Sequence, residues 1–280
     1  MFFSSDTTHM VVQDTVKQSG SGGDWILHHV MDGNYLDFPP LGKIYLPHLQ
    51  LFGLDISITR HVVFLWVVAA LLILTFIIVS KSYKKSLIPH GFTNLIETIV
   101  VFVRDEIVKP SIGHGYEKFL PYLLTAFFFI LFSNLIGLIP WTATVTSNIA
   151  VTASLAGLTF FATQVGGIIH HGPIGYFKGL IPPGMPVALL PLIIVVEVFG
   201  LFTKPFALCI RLFANMTAGH VVILSLIGLI FIMKTYFIAP VSIGFALFIY
   251  LLELLVALIQ AYIFTMLSSL FIGMAVHQDH

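Results

Sequence analysis

Two apolar segments in the last third of the chain constrain its fold more than any other feature of the sequence. They cover residues 187–233 and 241–275. As a helix, the first would be about 70 Å long at about 1.5 Å per residue, whereas the hydrocarbon core of a bilayer is about 30 Å thick. A helix of this length must tilt steeply, break or turn back on itself. Pro191 and Pro205 are positions where it can bend.

Three shorter apolar runs precede these segments, and each is long enough to cross a bilayer once. They lie at about residues 61–80, 119–139 and 149–169. Over the whole chain 58% of the residues are hydrophobic and 9% are charged, against about 25% charged residues in an ordinary soluble domain. The runs lack the alternation that is typical of a membrane β-barrel. The sequence therefore predicts an all-α, polytopic membrane protein with about five membrane-embedded helices.

The polar parts of the sequence predict the domain organisation and the orientation. Residues 1–60 are too mixed in polarity to span a membrane, so we expect an extramembrane segment there and a membrane domain at 61–280. Lysines at 81, 84 and 85 follow the first span, and such lysines usually stay in the cytoplasm. This places the N-terminus outside and the C-terminus in the cytoplasm. The lack of a transit-peptide pattern favours a bacterial inner membrane over an organellar one.

Two further segments are expected to lie outside the bilayer on the cytoplasmic side. Residues 89–110 combine apolar residues at helical spacing with several charges, which predicts an amphipathic helix on the membrane surface. Residues 170–186 contain glycines and prolines that favour a loop over a continuous helix.

Arg211 is the most informative single residue. No other lysine or arginine occurs between Lys204 and Lys234, and apolar stretches flank it on both sides. An arginine at the centre of a membrane helix costs about 2.5 to 3.5 kcal/mol on insertion scales, so it should face water or an anionic partner. Snorkelling to the lipid headgroups is the alternative, and the long flanking stretches weaken it.

Other polar residues share the last two segments with this arginine. At about 100° per residue, Glu197, Arg211 and Asn215 fall on one helix face, whereas His220 lies about half a turn away. On the final segment Glu253 and Gln260 share a face. Carboxylates and imidazoles can pass protons, and a guanidinium stays charged. The amides can equally serve as hydrogen-bonding links between helices.

Several other classes of function are disfavoured. Cys209 is the single cysteine, so no disulfide can form within the chain. The histidines show no metal-binding pattern, and we expect neither a metal nor another cofactor. The net charge is zero, which gives no reason to expect nucleic acid as a partner. The sequence has no phosphate-binding loop of the GxxxxGK[ST] type, so nucleotide chemistry would belong to other chains and the protein is not expected to be an enzyme.

The stretch KPFALCIRLFANMTAGH resembles the signature of subunit a of F-type ATP synthases, the stator part of their proton channel. The likeness covers about residues 60–275 and includes FTNLIETIVVFVRDEI, FSNLIGLIP and LIQAYIFTML in the same order. It implies that the last two helices are strongly tilted, running nearly in the bilayer plane around a ring of c subunits.

The resemblance assigns roles to the residues around the arginine. Arg211 matches the arginine that faces the ion-binding carboxylate of the rotating c-ring. Asn215 matches the amide one turn later, and Gln260 matches the glutamine that lies beside the arginine on the last helix.

It also assigns the two half-channels. Glu197 matches an acidic position of the cytoplasmic half-channel. His220 and Glu253 match two positions of the outer half-channel, where many bacterial members carry the acid first and the histidine second. Here the two residue types are exchanged, so the relay is expected to survive while the order of its proton transfers is open.

The implied function is that of the proton-translocating stator subunit of an F-type ATP synthase, which couples proton flow to ring rotation. The implied partners are the c-ring, the b subunits of the peripheral stalk, the lipid bilayer and the translocated protons. A stand-alone secondary transporter or ion channel is the main alternative, and it would predict paired half-repeats that the sequence does not show. A membrane scaffold whose polar residues only join helices is a third possibility.

Overall fold

The computed structural model describes a large part of the chain, namely residues 35–38, 42–45, 47, 50–51, 54–55, 57–85, 90–139, 142, 144–179, 190–233 and 237–277. Most of the predicted extramembrane segment, residues 1–60, lies outside this part. The strands described within it form two short antiparallel hairpins: β1 (Tyr35–Phe38) with β2 (Gly42–Tyr45), and β3 (Gln50–Leu51) with β4 (Leu54–Asp55).

Helices make up nearly all of the rest of the described chain. They are α1 (Arg60–Lys85), α2 (Phe92–Phe102), α3 (Leu120–Gly137), α4 (Ile149–Gly179), α5 (Leu190–Met233) and α6 (Ala239–Val276). Among the described residues five of these, all except α2, are long and apolar enough to cross a membrane. The predicted all-α, polytopic architecture with five membrane-embedded helices is confirmed.

Helix α2 confirms the predicted amphipathic helix. It runs directly into a π-helical stretch, Val103–Val108, and a last α-helical turn, Lys109–Ile112. The buried apolar residues include Ile96 of α2 and Val103 and Ile107 of the π-helical stretch, whereas Phe92 and Leu95 of α2 are exposed. Arg104 and Asp105 lie towards solvent, joined by two hydrogen bonds of 2.9 and 2.8 Å. The Arg104 guanidinium lowers the pKa of the Asp105 carboxyl, because it stabilises the ionised form.

Helix α4 is longer than the sequence predicts. Its third-span region was expected to end near residue 169, but helical structure continues to Gly179 after a break at Gly172. Gly172 adopts φ 71° and ψ 163°, a conformation that glycine tolerates. Pro173 can begin the second helical piece, since a first-turn proline loses no helical hydrogen bond. The predicted loop is therefore wrong for residues 173–179, and residues 180–189 lie outside the described chain.

Helix α5 settles one of the alternatives left open by its length. It continues through Pro205 as one helix of 44 residues, without a break or a hairpin between Leu190 and Met233. At about 1.5 Å per residue this is about 66 Å, which leaves steep tilting as the way to fit a bilayer.

The core lies where α6 packs against α3, α4 and α5. Ala257 and Ala261 of α6 are fully buried, and small residues of this kind let membrane helices approach closely. Phe128 of α3 and Phe264 of α6 are also fully buried. Polar links add to this packing, such as the 2.8 Å hydrogen bond between the hydroxyls of Tyr122 and Thr159. The result is a bundle that holds one side of α5 and α6 and leaves the other side uncovered.

Candidate functional site

Arg211 lies at the middle of α5, on the side that the rest of the chain leaves uncovered. Its neighbour Leu212 is fully buried in the core, which fixes the rotation of the helix about its axis. Three exposed residues around Arg211 on this face are small and apolar: Ala207, Ala214 and Ala218 lie within about 60° of it around the helix axis, at about 100° per residue. The guanidinium therefore emerges from an apolar surface.

No partner for this charge is present within the described part of the chain. No carboxylate there lies within 4.0 Å of the Arg211 guanidinium. A cation on an apolar, membrane-embedded surface is costly unless an anion or water reaches it. The exposed guanidinium is thus open to an anion or to water.

One turn along α5, Asn215 joins this region to α6. The Asn215 side-chain amide donates a hydrogen bond of 2.9 Å to Oε1 of Gln260. Gln260 is buried, and its own amide nitrogen has no hydrogen-bond partner among the described residues. The structure therefore brings together two residues that the sequence singled out on different segments, and it fixes the register of α5 against α6 just beside the arginine.

His220 and Glu253 form a second pair between the same two helices. Nδ1 of His220 lies 3.6 Å from Oε1 of Glu253. The Glu253 side chain is almost completely buried, and neither of its oxygens has a hydrogen bond within the described part of the chain. A carboxyl group this close to an imidazole can exchange a proton with it after a small movement.

Gly219 provides the space that this pair needs. A Cβ atom at position 219 would lie 2.7 Å from Oε1 and 2.8 Å from Cδ of Glu253. These separations are shorter than real carbon contacts allow, so the carboxyl group fills the place that a side chain would take. Gly219 is thus part of the site because it has no side chain and leaves room for the carboxyl group of Glu253.

Other residues of the site were not singled out from the sequence. Thr144, in the turn after α3, contacts Nε2 of His220 through its hydroxyl. Nearby, Thr146 donates a hydrogen bond of 2.7 Å to Oδ1 of Asn134, whose amide reaches the carbonyl of Ala257 on α6 at 3.4 Å. The amide of Asn134 inside an apolar run was a usable signal, because buried polar groups in membrane helices are often functional. The threonines look like ordinary turn residues in the sequence.

Glu197 stands apart from both pairs. It lies 14 positions before Arg211 on α5, about 21 Å along the axis at about 1.5 Å per residue. Its side chain is half-buried, and it forms no ion pair or hydrogen bond with the described residues. Lys204, which lies between Glu197 and Arg211 on the helix, instead places its Nζ 5.6 Å from the centre of the Phe271 ring.

These positions give α5 and α6 a definite charge pattern. A fixed positive charge lies at the centre of α5, a buried acid and an imidazole lie towards one end of that helix, and a half-buried acid lies towards the other. No group of three possible metal ligands occurs within the described residues. Fold and site together define a multi-pass membrane protein with titratable groups on both sides of a central arginine.

Comparison with known proteins identifies the family. Residues 62–273 match the family model of the ATP synthase A chain. The chain is 57% identical over 258 residues to an ATP synthase subunit a of Chloroherpeton thalassium, with 91% of this chain and 77% of the relative covered. It is 52% identical over 265 residues to an ATP synthase subunit a 2 of Prosthecochloris aestuarii, covering 93% and 82%. It is 51% identical over 283 residues to a subunit a of Pelodictyon phaeoclathratiforme, covering 99% and 83%.

The chain belongs to the ATP synthase A chain family. Its function is therefore that of the proton-translocating stator subunit, a component of the ATP synthase complex. The resemblance noted in the sequence is confirmed, and a stand-alone transporter is not favoured.

Proposed function

We propose that this chain forms two offset half-channels against a ring of c subunits, with Arg211 as the barrier between them. The exposed guanidinium at the centre of α5, which has no ion-pair partner among the described residues, is the observation that carries the proposal. A ring carboxylate that passes this position would supply the missing anion. The attraction acts only on an ionised carboxylate, so each ring site would lose its proton on arrival and regain one after leaving.

The outer half-channel would contain His220 and Glu253. Consecutive spans cross the membrane in opposite directions, so the second half of α5 and the first half of α6 lie on the same side of the membrane. His220 is in the second half of α5, and Glu253 is in the first half of α6. With five spans and the N-terminus outside, these halves lie towards the outer surface. A proton coming from outside would pass between the imidazole and the carboxyl group before it reaches a ring site.

The cytoplasmic half-channel would contain Glu197. This residue lies in the first turns of α5, at the opposite end of the helix from His220. Its half-buried carboxyl group could receive a proton from a ring site and release it to the cytoplasm. Arg211, near the midpoint, keeps this path apart from the outer one because its positive charge repels a proton that would cross directly.

Asn215 and Gln260 would hold the two long helices in register beside the arginine. Their hydrogen bond of 2.9 Å links α5 to α6 one turn beyond Arg211. A shift of either helix would move the guanidinium relative to the ring, and small errors in position are costly for charge transfer. We assign the pair a supporting role, which corresponds to the helix-linking alternative that the sequence left open beside a role in proton relay.

The lysines at the end of α1 bear on the orientation of the chain in the membrane. The lysines at 81 and 84 end α1, which favours a cytoplasmic position for that end and an outer position for the N-terminus. The bacterial inner membrane is the proposed location, and the b subunits of the peripheral stalk are proposed as further partners. The chain itself would carry out no bond chemistry, would need no cofactor and would bind no nucleic acid.

Photo-crosslinking in the intact complex tests the proposed ring contact. Cys209 is first replaced by alanine, and a cysteine carrying benzophenone is placed at Ala207, which is exposed on α5 and lies about 40° from Arg211 around the helix axis. Illumination should give an adduct with the c subunit. Ile73→Cys on α1 is the control, because its side chain is 59% exposed but lies on another helix. Equal ring adducts from both positions, or none from Ala207, would contradict the proposal.

A further inference from the structure

The turn that follows α3 reaches into the proposed outer half-channel through Thr144. This residue is 3% exposed, and it lies immediately before the short 3₁₀ helix Val145–Ser147. Its hydroxyl contacts Nε2 of His220, and it also lies 3.4 Å from the carbonyl oxygen of Gly137. One side chain thus joins the end of α3 to the imidazole on α5.

These two contacts fit one arrangement of the hydrogen atoms that suits proton transfer. A carbonyl oxygen can only accept a hydrogen bond, so a Thr144 hydroxyl that serves both partners donates its hydrogen to Gly137. Its lone pairs are then directed at His220, which in this arrangement presents an N–H there. A neutral imidazole with its hydrogen on Nε2 keeps a free lone pair on Nδ1, and this is the nitrogen that lies 3.6 Å from Glu253.

The turn is held firmly enough to fix the position of this hydroxyl. Ser147 donates a hydrogen bond of 2.8 Å to the carbonyl of Thr144, and Thr146 donates one of 2.7 Å to Asn134 on α3. Gly137 leaves the space for the threonine side chain: a Cβ atom there would lie 2.5 Å from Oγ1 and 2.8 Å from Cβ of Thr144. The residues that follow Thr144 are therefore anchored, and the Thr144 side chain is packed in place.

We propose that Thr144 is a positioning residue for proton transfer, which holds the His220 ring with Nδ1 directed at Glu253. In the transfer step the O–H bond of a protonated Glu253 breaks and an Nδ1–H bond forms, leaving a carboxylate and an imidazolium. The reverse step returns the proton to Glu253. In both states Nε2 keeps its hydrogen towards Thr144, so the ring does not have to turn between transfers. This inference rests on the proposed roles of His220 and Glu253.

The test compares Thr144→Val, which keeps the shape and removes the hydroxyl, with Thr144→Ser, which keeps the hydroxyl. Proton conduction is measured in liposomes containing the purified membrane part of the ATP synthase complex, with the amount of assembled complex determined in parallel. Thr144→Val should slow conduction by about tenfold, in line with the cost of misplacing a reacting group. Thr144→Ser should conduct nearly as well as the wild-type complex.

Two controls separate positioning from a general loss of structure. Thr142 lies in the same turn, and its hydroxyl oxygen is 2.6 and 2.7 Å from the carbonyl oxygens of Ile136 and Ile139, which share its one hydrogen; it has no hydrogen bond with His220. Thr142→Val should leave conduction unchanged. In a complex that already carries His220→Gln, Thr144→Val should cause no further loss, because the ring that it positions has gone.

The results distinguish the failure of this inference from failure of the proposed function. Equal conduction by wild-type and Thr144→Val complexes, together with a slow Glu253→Gln complex, would overturn only the role of Thr144. Normal conduction by Glu253→Gln would overturn the proposed outer half-channel itself. Loss in both Thr144→Val and Thr144→Ser, or a further loss in the His220→Gln background, would show that Thr144 acts through structure and would also overturn the inference.

Discussion

The carboxyl group of Glu253 lies 3.6 Å from the imidazole of His220, although the two residues come from different helices. Helices α5 and α6 thus contribute one group each to a pair that neither could form alone. The carboxyl group has no hydrogen bond within the described part of the chain, and the imidazole is the ionisable group paired with it there. This makes the pair sensitive to changes in either residue and in the glycine beside it.

Replacing Glu253 by glutamine should slow proton conduction by at least about tenfold, since a positioned acid or base contributes about 10²- to 10⁴-fold to a transfer step. Glutamine has nearly the same shape but cannot take up and release a proton, so the complex should still assemble. Conduction is measured in liposomes, and assembly is measured by the amount of subunit that copurifies. Glu117→Gln, at an exposed carboxylate, is the matched control. Unchanged conduction would remove Glu253 from the proton path.

Gly219→Ala should also impair conduction, because its Cβ atom would lie 2.7 Å from Oε1 of Glu253 and would displace the carboxyl group. Gly200→Ala on the same helix is the control, since no atom lies within 4 Å of a Cβ placed there. Both changes favour the helical conformation by about 1 kcal/mol in soluble helices. A lower rate in both variants would point to helix stiffness as the cause and would contradict the steric explanation.

The hydrogen bond between Asn215 and Gln260 should contribute to the stability of the assembled subunit. Interhelical hydrogen bonds in membranes are worth about 0.6 to 1.7 kcal/mol. Gln260→Leu should therefore lower the temperature at which the complex releases the subunit, and adding Asn215→Leu should have little further effect. Ser225→Ala is the control, because among the described residues the Ser225 hydroxyl bonds only to the carbonyl of Val221 on its own helix. Fully additive effects of the two changes would mean that the pair is not coupled.

Arg211→Lys should fail to support proton-driven ATP synthesis at more than a small fraction of the wild-type rate. Lysine can lose its proton when it is desolvated, and it lacks the planar fork with which arginine binds a carboxylate. The measurement is ATP synthesis by the complex in energised liposomes. Arg104→Lys, at an exposed arginine outside the five spans, should be tolerated. Near-normal synthesis by the Arg211→Lys complex would show that any positive charge is sufficient.

Much of the fold could be predicted from the sequence, because the bilayer imposes a simple length requirement on apolar runs. The five spans and the amphipathic helix α2 follow from hydrophobic length and charge alone. The end of α4 could not be predicted in this way, because glycine and proline at 172 and 173 are typical of a loop but can also join two helical pieces. That choice depends on packing: Tyr176, beyond the break, is buried.

The candidate site could be predicted only in part. Helical periodicity put Glu253 and Gln260 on one face and set His220 apart from Arg211, and the structure pairs His220 with Glu253 and Asn215 with Gln260. The register between α5 and α6 is a property of packing that no single segment encodes. Thr144 could not be found from the sequence, because its role depends on a turn that folds back onto α5.

Replacing Arg211 with alanine tests whether its fixed charge separates the two half-channels. Arg211→Ala complexes are reconstituted in liposomes, and proton-driven ATP synthesis is measured together with passive proton flow through the membrane part. We expect synthesis to be abolished while passive flow continues, because the two half-channels would no longer be separated by a fixed charge. Coupled ATP synthesis at near the wild-type rate in the Arg211→Ala complex would show that Arg211 is not the barrier between the half-channels.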